Sequence, residues 1–159
     1  MRPVRSEDAP FLIAGLRRLS AESRVRRFFF EKAAFSDEEV IRFTQSDGLR
    51  HLGLVLAVLD ETQHEVDLVG VARCFRDSDS ADLAEVAVTV VDDWQGARIG
   101  TRLIEALAEC AKNAGIHRWK GVFFSSNAAV RKLLNRIGTP ESEIGLPADV
   151  VECIYRLNP

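Results

Sequence analysis

Glu85 stands in an apolar run that continues to Val91 and is rich in small and β-branched residues. Such a run predicts a buried strand, in which Glu85, Ala87, Thr89 and Val91 share one face. Apolar surroundings destabilise a carboxylate and make it a stronger proton acceptor, which is what a general base requires. The sequence thus indicates Glu85 as a candidate catalytic base. The alternative is a glutamate on a solvated strand face.

A loop that follows this strand contains two glycines, Gly96 and Gly100, and leads into a predicted helix. Backbone N–H groups at a helix N-terminus, together with the helix dipole, bind phosphate groups. The glycine spacing excludes both the dinucleotide-binding fingerprint and the P-loop. We expect the phosphate-binding residues to be Gln95, Gly96, Ala97, Arg98, Ile99, Gly100 and Thr101.

The segment from Glu85 to Leu107 resembles the Q/R-x-x-G-x-G/A loop of the GNAT superfamily, whose members are N-acyltransferases that use acyl-CoA. Gln95 and Gly100 match the first and last positions of that motif. Arg98 departs from it, because it stands where the family usually has its first glycine. The resemblance implies acetyl-CoA as the acyl donor, with its pyrophosphate held by the loop.

The same resemblance assigns further residues to the site. The backbone groups of Val88 and Val90 would bond the pantetheine arm, and an N–H near Val90 would polarise the thioester carbonyl. Asn127 would bond the pantetheine arm, cap its own helix, or do both. Many GNAT enzymes place a tyrosine acid seven residues after this asparagine, where this chain has Leu134. Glu85 matches the catalytic glutamate of members that acetylate proteins.

Two N-terminal segments, residues 19–29 and 47–52, resemble bacterial protein-lysine acetyltransferases of the Pat type. This implies a protein lysine as acceptor, on a partner such as an acyl-CoA synthetase, and direct attack by the amine in a ternary complex. The arginines between residues 17 and 27 would contact an acidic patch on that partner or form a solvated face, and we favour the solvated face. Two alternatives stay open: a small-molecule amine as acceptor, or a non-catalytic acyl-CoA-binding sensor module.

The predicted elements give an α+β fold. Predicted strands cover residues 2–5, 51–59, 66–75, 83–91, 119–124 and 150–157, and predicted helices begin at Ser6, Ser20, Ser36, Gly100 and Asn127. Residues 139–147 are predicted to be irregular. This order matches the GNAT layout, a mixed and mostly antiparallel central sheet with helices on both faces. We expect residues 1–159 to form one domain.

The composition of the chain narrows the classes of partner that we expect it to bind. The chain has 159 residues, 47% of them hydrophobic, and a net charge of −3, which does not favour nucleic acid. No apolar stretch reaches the ~20 residues that a membrane span needs. The scattered cysteines and histidines lack metal-ligand spacing, so we expect no metal and three free thiols in a reducing cytoplasm. Pairing of edge strands leaves a homodimer possible.

Overall fold

Seven strands form one sheet in a computed structural model that describes residues 1–159. The strands are β1 (Arg2–Pro3), β2 (His51–Leu59), β3 (Glu65–Arg76), β4 (Leu83–Val90), β5 (Arg118–Phe124), β6 (Gly138–Leu146) and β7 (Val150–Leu157). Their order across the sheet is β1-β2-β3-β4-β5-β7-β6. All neighbours are antiparallel except the parallel pair of β4 and β5. The predicted mixed, mostly antiparallel sheet is therefore confirmed.

Five α-helices cover both faces of this sheet, as the sequence predicts. They are α1 (Ala9–Arg17), α2 (Ala21–Phe28), α3 (Asp37–Thr44), α4 (Ile99–Asn113) and α5 (Ala128–Ile137). The main hydrophobic core includes Leu103, Ile104 and Leu107 of α4. Buried residues of α5 belong to the same core and pack toward β7. A smaller core forms on the opposite face, where α1 packs Phe11 and Leu12. Every helix is too short or too polar to span a bilayer.

Local capping explains where two of the helices begin. The Ser20 hydroxyl accepts a hydrogen bond from the Ser23 N–H at 3.1 Å and starts α2. Ser36 and Glu39 form the reciprocal capping box of α3. The predicted cap at Ser6 is wrong, because the Asp8 carboxylate accepts the Arg5 N–H at 2.8 Å instead.

The prediction that residues 139–147 are irregular is also wrong. Residues 138–146 form the edge strand β6, which pairs with β7 from Gly138–Leu157 to Leu146–Val150. Only Gly138 of this strand is buried, so the segment carries no apolar alternation that would reveal it. Backbone pairing with the buried strand β7 stabilises β6, and this partner becomes evident only in the folded chain.

Candidate active site

The strands β4 and β5 pair at one end and separate at the other. Their ladder runs only from Leu83–Arg118 to Glu85–Lys120, although both strands continue well beyond these pairs. The gap that opens beyond Glu85 leaves one backbone edge of β4 without a neighbouring strand. A thin, extended ligand can therefore lie along this edge.

The backbone groups that form the open edge of β4 are those of Val88 and Val90. The Val91 N–H donates to the Val69 carbonyl of β3 at 3.0 Å. Because backbone groups alternate along a strand, those of Val88 and Val90 point away from β3 and into the gap. Their side chains face α4, where an added Cβ on Gly100 would lie 3.7 Å from Val90. The predicted pairing of a pseudo-peptide with this backbone is thus sterically available.

The loop after β4 brings the N-terminus of α4 to the same gap. The first intrahelical bond runs from the Arg102 N–H to the Arg98 carbonyl at 3.1 Å. The N–H groups of Ile99, Gly100 and Thr101 therefore have no intrahelical partner, which is the arrangement that binds anions at helix N-termini. Arg98 adopts the left-handed conformation, with φ of 60°. This is the conformation for which glycine is best suited, and arginine supplies it here at a cost in backbone strain.

Gln95 is exposed, but its side chain is hydrogen-bonded to the end of β4 and to the loop. Its Nε2 donates to the Val90 carbonyl and to the Asp92 Oδ1, each at 3.1 Å. The second carboxylate oxygen of Asp92 accepts the backbone N–H of Ser20, which caps α2. This chain of bonds couples the end of β4, the phosphate loop and the start of α2.

A cleft of about 660 Å³ joins these features, a volume in the range of small-molecule sites. The cleft is lined by Glu85, Val88, Val90, Gln95, Gly96, Arg98, Ile99, Gly100, Thr101 and Asn127 among others. Of the predicted site residues, only Ala97 lies outside the lining, since it is an exposed residue of the loop. The open backbone edge of β4 and the cationic side chains of the lining, such as Arg98 and Lys132, fit the extended, phosphate-bearing cosubstrate that the sequence predicts.

Glu85 lies at the end of the cleft where the two strands begin to separate. Its side chain is 59% exposed, and its Oε2 is 3.9 Å from the Lys120 ammonium. The expectation that an apolar strand would desolvate this carboxylate is therefore wrong, because Glu85 is on the wetter face of β4. An exposed carboxylate reaches a bound amine directly or through water, so its geometry is still compatible with proton transfer.

A second acidic residue, Asp82, directly precedes β4 and is bound to Arg118. Two hydrogen bonds of 2.9 Å from the Arg118 guanidinium to Asp82 lower the pKa of that carboxyl to about 2. A carboxylate so stabilised in its ionised form is a poor proton acceptor at neutral pH.

Asn127 caps α5, since its side-chain oxygen accepts the Val130 N–H at 3.2 Å. The same residue lines the cleft, so its two predicted roles are compatible. Leu134 is buried at the position where related enzymes have a tyrosine. The single tyrosine, Tyr155, is 1% exposed inside β7 and lies outside the cleft lining. No tyrosine of this chain therefore faces the cleft.

Two arginines near the site were not identified from the sequence. Arg27, which we expected on a solvated face, lines the cleft and donates from Nε to the Thr89 hydroxyl at 3.2 Å. Arg73 is 5% exposed on the same side of the sheet. A charged residue inside the apolar run of residues 68–75 is the signal that could have revealed Arg73.

The comparisons with known proteins agree on the family. Residues 17–139 match the Acetyltransferase (GNAT) family. The chain is 42% identical over 67 residues to the acetyltransferase Pat of Mycolicibacterium smegmatis, a match that covers 42% of this chain and 20% of that protein. It is 27% identical over 158 residues to an acetyltransferase of Pseudomonas aeruginosa, covering 99% of this chain and 82% of the relative.

Solved structures show the same fold. The GNAT domain of S. lividans PAT is 27% identical and superposes with a TM-score of 0.81 over 98% of this chain and 89% of that domain. A Salmonella typhimurium structure, yncA with its cofactor acetyl-CoA, has a TM-score of 0.73 over 99% of this chain and 93% of that chain. Its 17% identity shows the fold alone. By the family match and the structural agreement together, the chain belongs to the GNAT acetyltransferase family.

Proposed function

We propose that the protein transfers an acetyl group from acetyl-CoA to a primary amine in a ternary complex, with a protein lysine as the favoured acceptor. The observation that carries the proposal is the meeting of Glu85, the open edge of β4 and the N-terminus of α4 in one cleft. The likeness to Pat-named acetyltransferases supports a protein acceptor. The thiols of Cys74, Cys110 and Cys153 are unpaired, which suits the reducing cytoplasm where we place the reaction.

In this proposal each residue group has a physical task. Acetyl-CoA supplies the thioester. The N–H groups at the start of α4 hold the pyrophosphate, and the open backbone of Val88 and Val90 aligns the pantetheine arm. A backbone N–H near Val90 stabilises the charge that develops on the thioester oxygen.

The same geometry accounts for the removal of a proton from the acceptor amine. A lysine amine is almost entirely protonated at neutral pH and must lose a proton before it can attack. Glu85 accepts this proton through a water molecule, and the neutral amine then attacks the thioester. As the amide C–N bond forms and the C–S bond breaks, the second proton of the amine passes to solvent. The thiolate takes its proton from solvent, because no tyrosine faces the cleft.

A small amine is the second candidate acceptor, and the geometry narrows its chemistry. A pocket of about 60 Å³ adjoins the cleft and is lined by apolar residues together with Arg27 and Arg73. The absence of acidic residues from this lining disfavours polyamines, whose cationic groups two arginines would repel. A small acceptor would instead have to carry an apolar or anionic group beside its amine.

The test is release of free CoA thiol from acetyl-CoA, with purified acyl-CoA synthetase, a mixture of small amines, or buffer alone. We expect release with the synthetase, and we expect Glu85→Gln to abolish most of it without loss of CoA binding. Release with small amines alone would move the function to metabolite modification. CoA binding without release in any arm would contradict the enzymatic proposal in favour of a sensor.

A further inference from the structure

The pocket beside the cleft is a separate compartment on the α1 side of the sheet. Helices α1, α2 and α3 close it over β3 and β4, and its volume of about 60 Å³ is several times the roughly 10–15 Å³ that one water molecule needs. Arg27, Ala87 and Thr89 line both this pocket and the cleft. The two compartments therefore meet beside the open edge of β4, where the thioester would lie.

Arg73 gives this apolar pocket a buried positive charge. It is 5% exposed, its Nη1 donates one long bond of 3.4 Å to the Phe43 carbonyl, and its guanidinium lies 4.3 Å from the Phe43 ring centre. The charges that act on it, those of Arg27 and Arg42, are also positive. Burial and these two neighbours lower the pKa of Arg73 to about 9. Arg73 thus lacks the acidic partner that a buried guanidinium normally has.

Arg27 adds a second cation at the junction of pocket and cleft. Its Nε bonds to Thr89, and its guanidinium lies over the Phe28 ring at 4.9 Å. Burial lowers the pKa of Arg27, and the charge of Glu85 partly offsets this effect from the cleft side. Glu85 is not among the charges that act on Arg73, and its Oε2 lies 3.9 Å from the Lys120 ammonium, so the charge of Arg73 stays uncompensated.

A small anion in the pocket would supply what these arginines lack. Guanidinium groups bind carboxylates through paired hydrogen bonds, and the Nη atoms of Arg27 have no hydrogen-bond partner within the chain. The aromatic and aliphatic walls would hold the short carbon chain to which the carboxylate is attached.

We propose that this pocket, lined by Arg27 and Arg73, binds a carboxylate group that is carried by one of the two reactants. The inference rests on the proposed acetyl-CoA-dependent transfer, because the position of the reactants defines which groups reach the pocket. One source is the acceptor, as in an amino acid whose amine faces Glu85. The other source is the acyl donor, as in an acyl-CoA whose chain ends in a second carboxylate.

The experiment compares carboxylates with neutral isosteres in both arms. In the donor arm, calorimetry measures binding of succinyl-CoA and butyryl-CoA. In the acceptor arm, thiol release from acetyl-CoA is measured with a panel of amino acids and with the corresponding amino-acid amides. The variants are Arg73→Met, Arg73→Lys and, as a matched control that removes an equal charge at an exposed position outside the pocket, Arg50→Met. Melting curves and CoA affinity verify that each variant is folded.

We expect the wild type to favour the carboxylate in one arm by roughly ten- to a hundredfold, as for hydrogen bonds to charged groups. Arg73→Met should abolish this preference, Arg73→Lys should retain part of it, and Arg50→Met should leave it intact. Equal use of carboxylate and isostere by the wild type in both arms overturns the proposal, even if no variant folds. A preference that survives Arg73→Met in a folded protein also overturns it.

The arms separate this proposal from the proposed function. Donor binding is measured without turnover, so a carboxylate preference that depends on Arg73 supports the pocket even if no acetyl transfer is detected. Conversely, acetyl transfer to protein lysines with no carboxylate preference leaves the proposed function intact and rejects the pocket. Thermal stabilisation of the wild type by succinate but not by succinamide provides a third measurement that needs neither turnover nor a variant.

Discussion

At the scale of single residues, Glu85 combines the exposure of a surface glutamate with a position at the fork of two strands. Its carboxylate is reached by water and held near Lys120, and it faces the side of β4 on which α2 closes the cleft. In the proposed function, Glu85 is the base because its carboxylate lies beside the reactants, and not because burial makes it a stronger proton acceptor.

The substitution Glu85→Gln keeps the shape of this side chain and removes its ability to accept a proton. We expect kcat/KM for amine acetylation to fall by roughly 10²–10⁴-fold, with CoA affinity unchanged, and the acid limb of the pH profile to disappear. Glu109→Gln is the matched control, since Glu109 is an exposed residue of α4 that pairs with Lys112 outside the cleft. Equal kcat/KM for both variants at all pH values would refute the role of Glu85.

Substitutions of Arg98 measure the backbone strain in the phosphate loop. Its φ of 60° strains any L-residue and most of all a β-branched one. We expect Arg98→Gly to change the free energy of unfolding by less than about 1 kcal/mol, and Arg98→Val to lower it by about 1–2 kcal/mol. Urea denaturation measures both. Equal stability of the two variants would mean that the loop relaxes to another conformation.

The same variants separate strain from charge in cosubstrate binding. Because Arg98 is exposed, loss of its charge in Arg98→Gly should weaken CoA binding by no more than about fivefold. A larger loss measured by calorimetry would mean that the side chain contacts the phosphates closely.

At the scale of elements, the position of α4 against β3 sets the position of the phosphate loop. Gly70 of β3 makes this contact possible, because a Cβ at Gly70 would lie 2.8 Å from Leu103 and 2.9 Å from Ile99. Ile99 is the first residue of α4, so any displacement here moves the N–H groups that face the cleft.

Gly70→Ala should therefore disturb stability and binding together. We expect the free energy of unfolding to fall by about 1–3 kcal/mol through overpacking, and CoA affinity to fall as α4 shifts. The control is Gly145→Ala on the edge strand β6, where an added Cβ meets no atom within 4 Å. Urea denaturation and calorimetry give the two quantities, and a Gly70→Ala protein as stable as the control would contradict the predicted close contact.

At the scale of the whole molecule, the exposed carboxylate of Asp47, in the turn before β2, makes the stability of the fold depend on pH. Hydrogen bonds from the backbone N–H groups of His51, Leu49 and Arg50 lower the pKa of Asp47 to about 2, against an ordinary value of 3.8. A carboxyl whose pKa is lower in the folded chain than in the unfolded chain stabilises the fold above pH 3.8. This stabilisation is lost as the pH falls toward about 2.

The difference in melting temperature between the wild type and Asp47→Ala should therefore depend on pH. We expect the variant to melt lower than the wild type at pH 7, and the difference to shrink between about pH 4 and pH 2 as the carboxyl is protonated. Asp93→Ala, at an exposed aspartate, is the control. A difference that stays constant down to pH 2 would contradict a role for the ionised carboxylate.

The sequence by itself determined the features that depend on neighbours along the chain. Caps at Ser20 and Ser36, the alternating faces of β4 and the helix that follows Gly100 all arise from contacts within a few residues. The resemblance to the GNAT family then implied the mixed, mostly antiparallel sheet and ten of the 29 residues that line the cleft.

Only the tertiary structure decided what depends on distant partners. The strand β6 exists because β7 pairs with it, and its own residues are almost all exposed. The exposure of Glu85 and the burial of Arg73 were likewise decided by what packs against each face of the sheet. Local patterns fix the direction in which a side chain points. The solvent, charge or ring that it meets there is set by segments far away in the sequence.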